Sequence, residues 1–165
     1  MRGPGLVAVA LLAASGCARV VTRPASREGA TLYAVGSLSF EAPSDWRASG
    51  DDRRVRLVSP SGNATIEASA VADSSPDPDC LTSAAAALDR GTQGLRTVQR
   101  HASTFAGQRG VAEEADQGPW HGWAFATCAG GAQYRVWFAG RSPVSRELLA
   151  VERRLVESAR LEGAP

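Results

Sequence analysis

Lysine is absent from this 165-residue chain, and all eighteen basic residues are arginine. That absence excludes a Gly-x-x-x-x-Gly-Lys loop, in which the ammonium group reaches the nucleotide phosphates. Histidine occurs only at His101 and His121, and cysteine only at Cys17, Cys80 and Cys128. Their spacing matches no compact zinc motif, so no metal and no cofactor is expected. There is no Gly-x-Ser-x-Gly elbow and hence no serine in the turn that exposes a hydrolase nucleophile. No apolar run approaches the roughly 20 residues that a bilayer-spanning helix needs. A surplus of one charge is lacking too, since with Arg2 set aside seventeen arginines face seventeen acidic residues. Arg53, Arg54 and Arg56 form the one dense basic cluster, directly behind Asp51 and Asp52. With no basic excess to neutralise phosphates, no nucleic-acid partner is expected, and this cluster reads as a solvated strand edge.

What the chain does carry begins at its start. Arg2 precedes an apolar run from Leu6 to Ala14, followed by small residues up to Cys17. Charge, apolar stretch and small residues in that order are the layout of a secretory signal. Ala14-Ser15-Gly16-Cys17 resembles the lipobox of bacterial lipoproteins. The resemblance implies cleavage of residues 1–16 and attachment of diacylglycerol to Cys17, with further acylation (palmitate, for example) of the new amino group. The other reading leaves Cys17 a plain thiol after an ordinary cut nearby. Two or more acyl chains give stable membrane attachment where one is marginal. No aspartate follows the cysteine, so if the sorting rule of enteric lipoproteins applies to this chain, the outer membrane, facing the periplasm, is expected. Residues 17–30 are then expected to be the lipidated cysteine and a flexible tether reaching roughly 20 Å, which lets the body clear the headgroups.

A single domain over residues 31–162 is expected, α+β in class: a mostly antiparallel sheet covered by two helices. The alternation from Leu32 to Phe40 predicts one strand. Arg53–Ser59 and Ala64–Val71 predict a hairpin about the turn Ser59-Pro60-Ser61-Gly62. The first helix should be capped by Asp77, with Pro78 at its first position, and run from Cys80 to Asp89 until Gly91 and Gly94 stop it. Four further strands follow, near 95–105, 108–115, 120–128 and 133–139, separated by tight connections that suit antiparallel neighbours. A last helix should open after Ser142-Pro143, with Val144, Leu148, Val151, Leu155 and Ala159 on one apolar stripe. Phe40-Glu41-Ala42-Pro43-Ser44-Asp45-Trp46 resembles the opening F-x-x-P-x-x-W of Mog1/PsbP-like domains, and the order of elements is similar through Ser158-Ala159-Arg160. That resemblance implies an accessory, assembly or binding module, with structural rather than catalytic motif positions.

With Cys17 lipidated, Cys80 and Cys128 remain, and an even pair in an exported domain points to one disulfide. A buried free pair is the alternative. His121 follows Trp120 and lies across a turn from Glu113, Glu114 and Asp116, where an acid–base or metal site is conceivable. Trp120, after Gly118-Pro119, is a candidate exposed ring for a ligand. Trp123 and Trp137 fit strand interiors. The leading expectation is a membrane-tethered, non-enzymatic binding or assembly module with an envelope protein partner. The rivals are a small hydrolase or metal-dependent enzyme around His121, and a ligand sensor around Trp120. An enzyme requires a concave pocket with His121 in hydrogen-bonding reach of a neighbouring carboxylate.

Overall fold

Glycine decides the first departure from the sequence pattern. The computed structural model describes residues 20–91 and 96–162. In it, Gly36 takes φ +56°, a left-handed conformation that reverses the chain. The expected single strand over Leu32–Phe40 is therefore a hairpin of β2 (Ala30–Val35) and β3 (Leu38–Pro43). The expected tether is corrected as well. It contains β1 (Val21–Pro24), which pairs antiparallel with β2, and Val20 packs against the core. Backbone pairing and burial of Val20 outweigh the polar composition that suggested a free linker. The body thus begins at residue 20 rather than 31. Cys17 lies outside the described residues.

Two antiparallel sheets result. The smaller has the order β1-β2-β3-β11, with β11 (Arg160–Leu161) added at the end of the chain. The larger has seven strands in the order β4-β5-β6-β10-β9-β8-β7. These are β4 (Arg47–Gly50), β5 (Arg54–Val58), β6 (Ala64–Ala72), β7 (Arg96–Phe105), β8 (Gln108–Gln117), β9 (Trp120–Ala129) and β10 (Ala132–Arg141). The hairpins expected from the sequence are present at β5–β6, β7–β8, β8–β9 and β9–β10. Strands β1, β4 and β11 carry no sequence signal strong enough to be read, being two to four residues long.

The main core lies on one face of the large sheet. Strict alternation along β10 sends Tyr134, Val136 and Phe138 inward, where they join Val55, Leu57 and Ile66. Tyr33, Val35, Leu38 and Phe40 meet them from the small sheet. Phe40 and Trp46, the two ends of the aromatic motif, are both buried in this core. Each such side chain contributes about 1.5–3 kcal/mol on burial. Helix α2 (Arg146–Ser158) packs against β3, burying Leu148 and Leu155, with Val144 and Val151 half-buried beside them. Strand β3 is consequently buried on both faces, Ser39 and Glu41 included. The cap of α2 is Ser145 rather than Ser142-Pro143: Ser145 Oγ accepts the amide of Leu148 at 3.3 Å. The Ser142 amide is instead committed to the Pro119 carbonyl at 2.7 Å.

Helix α1 (Asp77–Gly91) covers part of the opposite face of the large sheet. The amides of Asp79 and Cys80 both donate to the Pro76 carbonyl, so the helix opens one residue before the expected Asp77 cap. Gly94 lies outside the described residues. Ala84 and Leu88 pack on Ala124 and Ala126, a small contact made mostly of methyl groups. The disulfide between Cys80 and Cys128 fastens the first turn of α1 to β9, with Cα atoms 6.3 Å apart.

The antiparallel meander gives the body two poles. At one, the turns at Gly36–Ser37, Gly50–Arg53 and Gly130–Gly131 gather with the start of β1. The Gly36 amide bonds to the Asp52 carbonyl at 2.7 Å, and the Asp73 amide to Gly131 at 2.9 Å. At the other pole the turns at 59–63 and 118–119 meet the end of β10, through Arg141 to Asn63 at 2.8 Å and Ser142 to Pro119.

Candidate functional site

The β8–β9 hairpin carries every residue singled out around His121, and strand alternation divides them between two faces. Asp116 stands opposite His121 and Glu114 opposite Trp123, so these four share the face that continues the main core. His121 Nδ1 lies 2.6 Å from Asp116 Oδ1, and its Nε2 lies 2.9 Å from Glu114 Oε1. Trp123 meets the imidazole edge-on, with ring centroids 4.5 Å apart, and is itself tilted against Phe138 at 5.9 Å. Arg96 adds a contact of 3.0 Å to the second oxygen of Asp116. Hydrogen bonding from His121 first, and then from Arg96, holds the Asp116 carboxyl below its ordinary value.

Glu113 and Trp120 face the other way. The side chain of Glu113 is fully buried and receives Arg100 at 2.7 Å from Nη2 and 3.3 Å from Nε. It is a structural ion pair that reads from sequence as part of the histidine cluster. Only the period of two along β8, counted from the buried Ala112, separates Glu113 from Glu114. Trp120 and His121, neighbours in sequence, thus lie on opposite faces of the sheet.

On the face of Trp120 lies a shallow groove between α1 and the outer side of β6 and β10. It has a volume of about 620 Å³ and is lined by Arg54, Glu67, Ala87, Leu88, Arg135 and Trp137, among others. A smaller depression of about 170 Å³ continues it through Thr65, Gln117 and Trp137 to Trp120. Trp137, expected to be packing, does pack against the cluster beneath α1, and its half-buried ring also lines both depressions. Its ring crosses the strand over Gly122, where a Cβ would approach it to 2.8 Å. Arg54 and Arg56 converge on Glu67 at 3.2 and 3.3 Å, which uses much of the charge of the dense arginine cluster locally. Their strand, β5, is an inner strand, with β4 at the sheet edge. The polar row Thr65, Glu67 and Ser69 that floors this groove is the signal in the sequence that was open to being read as a surface.

A third depression, of about 280 Å³, is polar and lies between Arg27, Glu41, Arg154 and Arg160. Its buried carboxylate is already satisfied: Glu41 accepts the Ser26 hydroxyl at 2.6 Å and the Ser26 amide at 3.2 Å. None of these three depressions includes His121. Among the described residues, no three His, Cys, Asp or Glu side chains are placed to hold a metal ion. Nor, among them, is any helix long and apolar enough to cross a membrane.

No family model matches the sequence, and no curated protein matches it significantly. Solved structures do match the architecture. The cyanobacterial PsbP (CyanoP) of Synechocystis sp. PCC 6803 superimposes with a TM-score of 0.57 at 12% identity, over 90% of this chain and 95% of that one. The fold is PsbP-like. LpqN, involved in cell envelope biogenesis of Mycobacterium tuberculosis, gives a TM-score of 0.55 at 14% identity, over 89% of this chain and 91% of its own. At these identities the PsbP-like likeness concerns architecture. The F-x-x-P-x-x-W spacing has a local structural reason in this chain: Phe40 fills the core, Pro43 ends β3, and the amide of Trp46 returns to the Pro43 carbonyl at 3.3 Å.

Proposed function

We propose that this chain is a lipid-anchored protein of the cell envelope, whose PsbP-like domain binds or helps assemble an envelope partner without catalysing a reaction. The observation that carries this reading is the state of His121, whose two ring nitrogens each face a carboxylate of the same hairpin. Both nitrogens are engaged within the hairpin, and His121 lines none of the three depressions described above. The reach to Glu114 and Asp116 satisfies one requirement of an acid–base site, but the concave pocket that the requirement pairs with it lies elsewhere, on the face of Trp120. Fold alone assigns no activity. The signal-like start, the lipobox-like Ala14-Ser15-Gly16-Cys17 and the likeness to an envelope-biogenesis protein support the location. The anchor is the acylated Cys17, and the outer membrane, facing the periplasm, is its proposed site.

The test is recovery of partners from detergent-solubilised envelopes, with the native anchored protein as bait. A specific envelope protein that co-purifies with wild type and with His121→Ala alike is the expected result. Absence of any specific partner, together with turnover that disappears in His121→Ala, would overturn it in favour of an enzyme.

A further inference from the structure

The expected tether has a physical purpose, to hold the body away from lipid headgroups, and the structure removes most of its length. Val20 is packed against the core and Val21 is already in the β-sheet, opposite Ala34. If Cys17 carries the lipid, as proposed above, only Ala18 and Arg19 separate the anchor from a residue fixed to the domain. Three residue steps, fully extended, reach about 10 Å. The headgroup layer alone is about 5–8 Å thick on each side of the hydrocarbon. Almost nothing remains for clearance.

We infer that the domain lies directly on the bilayer that holds its own lipid, in one orientation, with the pole at the start of β1 facing the headgroups. The features of that pole fit a wet, amphipathic surface. Val21 and Val71, two of the three large apolar side chains that are exposed among the described residues, sit there at 40% and 45% exposure. Val71 is placed by its pairing with Gln133, next to the Gly130–Gly131 turn. Exposed Arg53 flanks them from the neighbouring turn, and Arg19 immediately precedes the body. Arginine stems cover apolar surface while their guanidinium groups reach phosphate oxygens, a combination suited to the interface.

The orientation has a functional consequence. Strand β10 is ten residues long and runs from this pole to the opposite one. At about 3.3 Å per residue the far pole stands roughly 30 Å above the bilayer. That raised pole carries the β8–β9 turn with His121 and Trp120, so the surface offered to an envelope partner points away from the membrane of anchorage.

The experiment uses the full chain, purified with its anchor and reconstituted into phosphatidylcholine vesicles containing a headgroup-quencher lipid. Intact mass first establishes that Cys17 is acylated. Single cysteines for a fluorophore are placed at exposed positions in the two polar turns, as Ser37→Cys near the start of β1 and Ser61→Cys at the far pole; the remaining pair is closed in the disulfide. The expected result is quenching several-fold stronger at position 37 than at position 61. Inserting about 12 Gly/Ser residues between Arg19 and Val20, which adds roughly 20 Å of reach, should abolish that difference. Equal quenching at both positions in verified acylated protein would overturn the orientation and leave the anchor intact. An unacylated chain would remove both.

Discussion

Removing the disulfide should weaken the protein by an amount the structure allows to be worked out. Cys80 and Cys128 are 48 residues apart in sequence. Closing a loop of that length removes roughly 14 cal/mol/K of chain entropy from the unfolded state, or about 4 kcal/mol at 25 °C. The contact the bond reinforces is a small one. Ala84 and Leu88 of α1 meet Ala124 and Ala126 of β9, a leucine and three methyl groups with the half-buried Val111, Cys128 and Trp137 packed around them. The double variant Cys80→Ala/Cys128→Ala should therefore lose most of that 4 kcal/mol, with α1 the first element to loosen. For a domain of this size that corresponds to a fall in Tm of about 8–16 °C. Urea unfolding followed by tryptophan fluorescence gives the stability, and amide exchange along residues 80–91 gives the location. A loss below about 1 kcal/mol, or exchange that rises uniformly through the sheets, would refute the reasoning that this bond closes the outer face.

Three further outcomes follow from the geometry. Arg100→Ala leaves the buried Glu113 carboxylate without its guanidinium and should cost about 3 kcal/mol, the lower end for a buried pair because Arg100 is itself a third exposed; a loss under 1 kcal/mol in urea unfolding would contradict it. Because the folded state depresses the Asp116 carboxyl, its stabilising effect is complete above the unfolded value near 3.8 and is lost as pH falls through the lower folded value. Acid unfolding of Asp116→Asn should thus show a shallower loss across that window than wild type, and an identical acid limb would disprove the coupling. Gly122→Ala forces a methyl group against the Phe138 carbonyl at 2.7 Å and the Trp137 ring at 2.8 Å, and should destabilise by about 1–3 kcal/mol with a shift in tryptophan emission; an unchanged Tm would show that the ring moves aside freely.

The parts of the fold legible in the sequence are those with a strong local period or strong turn chemistry. The hairpins about Ser59–Gly62, Gly118–Pro119 and Gly130–Gly131 are marked by glycine and proline between alternating segments. The apolar stripe of α2 is marked by its spacing. The disulfide follows from cysteine count and the expected export, without any geometry. The PsbP-like architecture is carried by the Phe40–Trp46 motif and the order of elements. What eluded the sequence depends on contacts between distant segments. The edge strand β1 looks like linker because its residues Val21–Pro24 are all exposed, and only pairing with β2 gives it structure. Strand β11 is two residues long and exists because β3 offers it an edge.

The candidate site shows the same division. The proximity of His121 to Asp116 follows from a two-residue turn and is readable, whereas the face on which each side chain lies depends on register. A shift of one residue would exchange Glu113 for Glu114 and Trp120 for His121. Sequence proximity therefore groups a buried ion pair, a histidine clamp and a groove-lining tryptophan that the sheet keeps apart. The Trp137 groove was missed because its floor is assembled from β6 and β10, which are some 65 residues apart in the chain and adjacent only in the sheet.

The proposed attachment through Cys17 underlies both the location and the orientation inferred above, and mass analysis of the protein extracted from cell envelopes tests it most directly. The account predicts a chain that starts at Cys17 and carries the added mass of a thioether-linked diacylglycerol, with or without an amide-linked acyl chain. A bare polypeptide, or one that starts at any other residue, would contradict it.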